Sequence, residues 1–263
     1  MSYYLYDDGV RQRVPRGAYR PHPIFICMVG IFVASGVLAW KEIGNDRLNV
    51  FLFVVFGWLV SVCLHEYAHA LVGLHSGDRD VIYRGYLSLN PMKYAHPLLT
   101  FVLPVVFILF AGFGLPGGAV LIDHSQVRRR WQETAISLAG PAVNLLFAVG
   151  LMLPFTFGVD ELAHPLFWSA VALLAYFQVA VLLLNLLPVP GLDGGNAWFP
   201  WLSYDWKRGF NAVRPYGFLI IIVLLYRGPV HDAFFTLVDK VIDLFGMNRI
   251  LISIGYSILQ FWK

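Results

Sequence analysis

The stretch Phe51–Leu74, FLFVVFGWLVSVCLHEYAHALVGL, decides how this chain is read. Fourteen uncharged residues, Phe51 to Leu64, lead directly into His65-Glu66-Tyr67-Ala68-His69. Ionisable groups in a membrane core are costly, rare, and by default mark functional sites. On an α-helix, positions i and i+4 share one face. His65 and His69 can therefore aim two imidazoles at one point, a geometry that suits zinc. Glu66 lies beside the pair and can act as general base toward a water. The rival explanation is two core histidines and a buried glutamate in accidental order. It requires an unpaired carboxylate in an apolar medium, which is strongly unfavourable.

The rest of the chain supplies the membrane setting. Its 263 residues are 58% hydrophobic and only 13% charged, with a mean hydropathy of +0.66. Roughly a quarter of an average globular chain is charged. A bilayer crossing needs about 20 apolar residues, and candidate runs recur at Pro23–Trp40, Phe51–Leu74, Pro97–Ile122, Thr134–Val159 and Pro165–Leu192, with a shorter one at Pro215–Tyr226. The expected fold is an all-α polytopic membrane protein of about six transmembrane helices, in one membrane-embedded domain over 23–263 whose catalytic core covers about 51–198. These runs leave no room for a separate soluble domain. The net charge of +3 does not suggest nucleic acid. Cys27 and Cys63 both sit in apolar segments and imply no disulfide framework.

Charge sets the expected topology. Arg11, Arg13, Arg16 and Arg20 precede the first apolar run, which is long for a cleaved signal peptide. Residues 1–22 are then a basic cytoplasmic tail. A first span leads out, a second returns, and His65 lies about 20 Å along it from Phe51 at 1.5 Å per residue. The histidine pair is thus expected in the cytoplasmic half of the bilayer of a multi-pass protein.

Two segments read ambiguously. Val81–Asn90, VIYRGYLSLN, is β-branched and aromatic with partial alternation. It reads either as a small β element near the active site, with an edge that could pair with a peptide, or as an amphipathic loop. Pro97–Ile122 is broken by Pro104 and by Gly112–Gly118, and is followed by Arg128, Arg129 and Arg130. It either crosses the bilayer or re-enters on one side, where irregular backbone must be buried in protein or line a wet cavity. In the tail, Asp232–Phe245 has an interfacial-helix pattern, and Arg249–Trp262 either docks in the membrane or packs on the bundle.

A catalytic zinc takes three protein ligands and leaves one open position. Two residues compete for the third place. His75 stands ten residues after His65, at the offset of HExxHxxGxxH, but Val72 occupies the position where that motif needs glycine. A continuous helix would also carry His75 past the zinc. Asp193 follows Pro188, Pro190 and Gly191 at the end of a long apolar run, where the prolines stop the helix. Its carboxylate could swing toward a neighbouring helix, or it could cap the helix that follows.

Three separated pieces together resemble the site-2 protease family of intramembrane zinc metalloproteases. His65–His69 fits its HExxH element, Gly140-Pro141-Ala142-Val143-Asn144 its GPxxN element, and Asn185–Gly195, NLLPVPGLDGG, its N-x-x-P-x-P-x-x-DG element. The likeness covers roughly Phe51 to Trp198 and points to the short prokaryotic branch without PDZ or nucleotide-binding CBS domains. The family's Asn-Pro-Leu-Asp-Gly wording is Val-Pro-Gly-Leu-Asp-Gly here, with the aspartate in place. The resemblance implies one zinc ion per chain held by His65, His69 and Asp193, with Glu66 as catalytic base and proton shuttle. It implies Asn144 and Asn185 as polar neighbours that hold substrate backbone or a core hydrogen bond. The expected activity is that of a zinc metalloendopeptidase cutting peptide bonds within or beside transmembrane segments of membrane-protein substrates in a prokaryotic cell membrane. The alternative is a non-proteolytic membrane metal-binding protein or metal carrier.

Overall fold

A computed structural model describes residues 4–7, 10–13, 15–94 and 120–260. A short antiparallel hairpin, β1 (Tyr4–Asp7) and β2 (Val10–Arg13), precedes the helices. Helix α1 (Pro23–Trp40) leads to α2 (Asp46–Ser76), a 31-residue helix about 46 Å long at 1.5 Å per residue. Then come the single turn α3 (Asp80–Tyr83), the long helices α4 (Arg130–Thr156) and α5 (Pro165–Asn185), and the six-residue α6 (Asp193–Trp198). Four shorter helices complete the described chain: α7 (Tyr204–Val213), α8 (Gly217–Tyr226), α9 (Pro229–Leu244) and α10 (Arg249–Leu259).

Helix α2 starts and stops for local reasons. Asn45 caps it, its side-chain oxygen accepting from the Leu48 N–H at 3.0 Å. Gly77 ends it at φ +123°, a left-handed backbone that suits glycine. The freed carbonyls of Leu74 and Gly73 accept from the Gly77 and Asp78 N–H groups. In between, α2 packs against α1, α4, α5 and α10. Close approach is made possible at Gly57, where an added Cβ would lie 2.5 Å from Leu174 and 2.8 Å from Phe32. Helix α5 is the most enclosed: Trp168, Val171, Leu174, Phe177 and Leu184 are all buried in the main core with Trp58, Met152 and Phe155. By contrast α1 and α4 turn Ile26, Val33, Val37, Leu145 and Leu146 outward. Such an apolar outer surface fits lipid better than water.

Among the described residues, four helices, counting the short lead-in Gly17–Tyr19 with α1, are long and apolar enough to cross a membrane. A fifth candidate is the pair α9 and α10, bent by 116°. Four or five of the roughly six expected spans are thus found among the described residues. The span expected at Pro215–Tyr226 is corrected: its α-helical part is the ten-residue α8 (Gly217–Tyr226), about 15 Å long and too short to cross. Residues 97–119 of the run Pro97–Ile122 lie outside the described residues, so its crossing or re-entry is not described. In the tail, α9 buries Phe234, Val238 and Ile242, and Arg249 at the start of α10 pairs with Asp239 and Asp243 on the opposite side. Helix α10 packs on α5, with Gly255 against the Ser169 carbonyl.

The β reading of Val81–Asn90 is also corrected. The segment is α3 followed by a 3-10 turn at Tyr86–Ser88, and Gly85 (φ +72°) and Leu89 (φ +54°) reverse the chain. Its alternation breaks because Val81, Tyr86, Leu87 and Leu89 all turn inward, against Val60, Cys63, Ala70 and Leu74 of α2. The edge that could have paired with a peptide is absent from these residues.

Gly77 gives a direct test of the turn that ends α2. A Cβ there would combine a positive φ with a 2.8 Å contact to the Gln126 carbonyl oxygen. Gly77→Ala is expected to cost about 1–3 kcal/mol, read as a lowered midpoint of thermal unfolding in detergent.

Candidate metal centre

The continuity of α2 carries His65 and His69 to the same face, and both are buried. The third group arrives from a distant turn. Helix α5 ends at Asn185, and Pro188 and Pro190 prevent its continuation. The chain then tightens: Gly191 adopts φ +97°, the Val189 N–H donates to Leu187 O, and the Leu192 N–H donates to Val189 O. Gly194 and Gly195 lie so close under this turn that a Cβ would come within 2.3 Å of Leu186 O or 2.1 Å of Val189 O. The two glycines are therefore what lets α6 begin here. Asp193 is the first residue of α6, after Leu192 at the cap position. Thr134 of α4 donates to the Ala197 carbonyl at 2.8 Å and accepts from Trp201 Nε1 at 2.9 Å, which ties α6 to α4.

The result is a convergence. Asp193 Oδ2 lies 3.2 Å from His65 Nε2 and 3.5 Å from His69 Nε2. The two Nε2 atoms are 3.0 Å apart. A tetrahedral zinc ion with bonds of about 2.0–2.1 Å separates its ligand atoms by about 3.3 Å, so the three atoms fit one ion. Among the described residues, these three are the one group of histidine, cysteine and acidic side chains so placed. His75 is exposed, and its Nδ1 hydrogen-bonds the Leu71 carbonyl of its own helix. Cys63 is buried and its carbonyl accepts from the Tyr94 hydroxyl at 3.1 Å.

The other ring nitrogens are also engaged. His69 Nδ1 is 2.6 Å from the Ile136 carbonyl, and His65 Nδ1 is 2.6 Å from Asn144 Oδ1. A carbonyl oxygen can only accept, so each imidazole carries its proton on Nδ1 and keeps a lone pair on Nε2. That is the protonation a metal ligand needs. Gly140 shapes the remaining wall: an added Cβ would lie 2.3 Å from His69 Nε2 and 2.4 Å from His65 Nε2. The donor set, its tautomers and this gap all suit zinc.

Glu66 is buried one residue along from His65, outside the three-atom group. Its Oε2 accepts the Val120 N–H at 3.0 Å. The segment beginning at Val120 is fastened to the end of α2. Arg84 donates to Leu121 O at 2.8 Å, and the buried Asp78 accepts from the Asp123 N–H at 2.8 Å. Ile122 packs on Gly73. At the surface, hydrogen bonds from Ser125 and Gln126 hold the Asp123 carboxyl below its usual pKa.

Asn144 uses both ends of its amide: Oδ1 on His65, and Nδ2 donating to Gln178 Oε1 at 3.0 Å. Asn185 is buried at the end of α5 and takes no part in the described hydrogen bonds of the three ligands. Sequence reasoning assigned no role to Gly140 or Gln178. The signal for Gln178 was present, as an amide inside the apolar run of α5, where a polar side chain needs an interhelical partner. For Gly140 no pattern in the residues alone marks the contact with both imidazoles.

The chain is similar along nearly all its length to curated bacterial proteins. It is 43% identical over 252 residues to a Mycolicibacterium smegmatis protein named "Putative zinc metalloprotease Rip2", covering 94% of this chain and 96% of the relative. It is 39% identical over the same shares to the Rip2 protein of Mycobacterium tuberculosis. It is 30% identical over 187 residues to "Putative zinc metalloprotease YwhC" of Bacillus subtilis, covering 67% of this chain and 81% of the relative. No protein-family model matches the chain, and no solved structure matches it. With two imidazoles and a carboxylate converging in an apolar bundle, and with relatives this similar over this length, the chain belongs to the site-2 protease family of zinc metalloproteases.

Proposed function

We propose that this protein hydrolyses peptide bonds within or beside the transmembrane segments of other membrane proteins, with His65, His69 and Asp193 as its zinc ligands. The observation that carries the reading is the meeting of the three ligand atoms with a buried glutamate that is not one of them. A zinc ion bound there supplies Lewis acidity and makes water a usable nucleophile near neutral pH. The chain does the rest. Glu66, fixed by the Val120 N–H on Oε2, takes the water proton on Oε1 and returns it to the leaving amine. Asn144 holds the His65 ring. Asn185, buried just before the turn that carries Asp193, is the amide left for a substrate backbone.

The membrane placement rests on charge and length. Arginines cluster ahead of α1, which supports a cytoplasmic N-terminus in a prokaryotic cell membrane. His65 then falls roughly 28 Å along α2 from Asp46, in the cytoplasmic half of the bilayer. A helical substrate hides its carbonyls in internal hydrogen bonds, so cleavage there requires local unwinding. Residues 1–22 form the cytoplasmic tail and 23–263 the protease domain in this reading.

Glu66→Gln keeps the size of the side chain and removes its basicity. Cleavage of a membrane peptide by the purified protein is expected to fall at least about 100-fold, with bound zinc retained. Undiminished cleavage would remove Glu66 from the base role.

Gly140→Ala tests the site from its far wall. The new methyl meets the ligand nitrogens themselves, so zinc affinity measured against a chelator is expected to fall by about tenfold or more, or about 1.4 kcal/mol. Wild-type affinity would show that the gap beside Gly140 is not part of the centre.

A further inference from the structure

Behind His65 runs a chain of buried hydrogen bonds that reaches the backbone of α2 at Trp58, about two turns earlier. His65 Nδ1 meets Asn144 Oδ1 at 2.6 Å, Asn144 Nδ2 meets Gln178 Oε1 at 3.0 Å, and Gln178 Nε2 meets Ser61 Oγ at 2.7 Å. The Ser61 hydroxyl reaches the Trp58 carbonyl at 2.9 Å. Ser61 and Gln178 are fully buried, and Asn144 nearly so. The chain links α2, α4 and α5.

Its direction is fixed at one end. A backbone carbonyl only accepts, so Ser61 must donate to Trp58 and has its oxygen lone pairs left for Gln178. Gln178 must then present its NH2 to Ser61 and its oxygen to Asn144. Asn144 must present its NH2 to Gln178 and its oxygen to His65. His65 must donate from Nδ1, which leaves the Nε2 lone pair facing His69 and Asp193. Each amide would otherwise be free to flip, and a flipped Asn144 would offer N–H to Nδ1. That would favour the tautomer with the proton on Nε2, which leaves no lone pair facing His69 and Asp193.

We infer that Gln178 and Ser61 are positioning residues that fix the metal-binding tautomer of His65 through Asn144, by relaying the polarity of the Trp58 carbonyl. This inference rests on the zinc-centre reading above. His69 needs no such relay, because its Nδ1 meets the Ile136 carbonyl directly.

The test is zinc affinity of the full-length protein in detergent, measured by competition with a chromophoric chelator, beside thermal unfolding of the metal-free protein. Gln178→Met keeps length and bulk but removes the polar link. Zinc affinity is expected to fall about 10–100-fold, the range found for outer-shell partners of metal-ligating histidines. Ser61→Ala is expected to weaken binding several-fold, and Ser61→Thr, which restores the hydroxyl, to recover it. A residue that served packing alone would shift the metal-free unfolding midpoint and leave zinc affinity unchanged. Wild-type affinity in Gln178→Met therefore overturns the relay. If that variant does not fold, Ser61→Ala decides in the same way, with wild-type affinity overturning it. Absence of tight zinc binding in the unsubstituted protein is a different failure: it removes the zinc centre itself, and the relay with it.

Discussion

Two imidazoles of one helix and one carboxylate from a distant turn have to meet inside an apolar bundle. His65 and His69 reach the meeting point because α2 is continuous through them. Asp193 reaches it because α5 cannot continue past Pro188 and Pro190. An apolar interior makes this arrangement demanding, since each buried polar atom without a partner is costly. The structure answers that demand locally. Both Nδ1 atoms have acceptors, Glu66 has a backbone donor, and the Asn144 amide is engaged at both ends.

Small residues are the counterpart of these polar links. Gly57 brings α2 against α5 and α1, Gly140 brings α4 against the imidazoles, and Gly194 and Gly195 let α6 start directly beneath the turn that ends α5. Helices in lipid gain little from hydrophobic burial against each other, so close backbone approach and interhelical hydrogen bonds carry more of the association. In this molecule the two devices fall together at the site. The glycine of Gly140-Pro141 and the amide of Asn144 lie one turn apart on α4, one clearing space beside Nε2 and the other holding Nδ1 of the same ring.

The three groups that converge were legible in the residues because their signal is chemical as well as periodic. The i, i+4 histidines predict a shared face whatever surrounds them, whereas Asp193 alone reads as a helix cap and becomes a candidate partner only alongside the histidine pair. The long spans were legible too, since an uncharged run about 20 residues long has little alternative. The failures lie where periodicity is weak. Val81–Asn90 mimics a strand by composition, yet Val81, Tyr86, Leu87 and Leu89 all bury against α2 while Tyr83 is exposed, and Gly85 and Leu89 turn the chain. Pro215–Tyr226 is apolar but too short. Gln178 carried a readable hint as an amide in an apolar span, but its partners on two other helices belong to the three-dimensional packing. Gly140 stood out only as part of the GPxxN element, and its contact with both imidazoles was not legible, because a glycine's contacts are a property of what approaches it.

X-ray absorption at the zinc edge of the purified protein tests the central assignment most directly. The account predicts a first shell of nitrogen and oxygen alone at about 2.0–2.1 Å, with outer-shell scattering from two imidazoles, and loss of that pattern in Asp193→Ala. A sulfur atom in the first shell, or a spectrum without imidazole scattering, would contradict it.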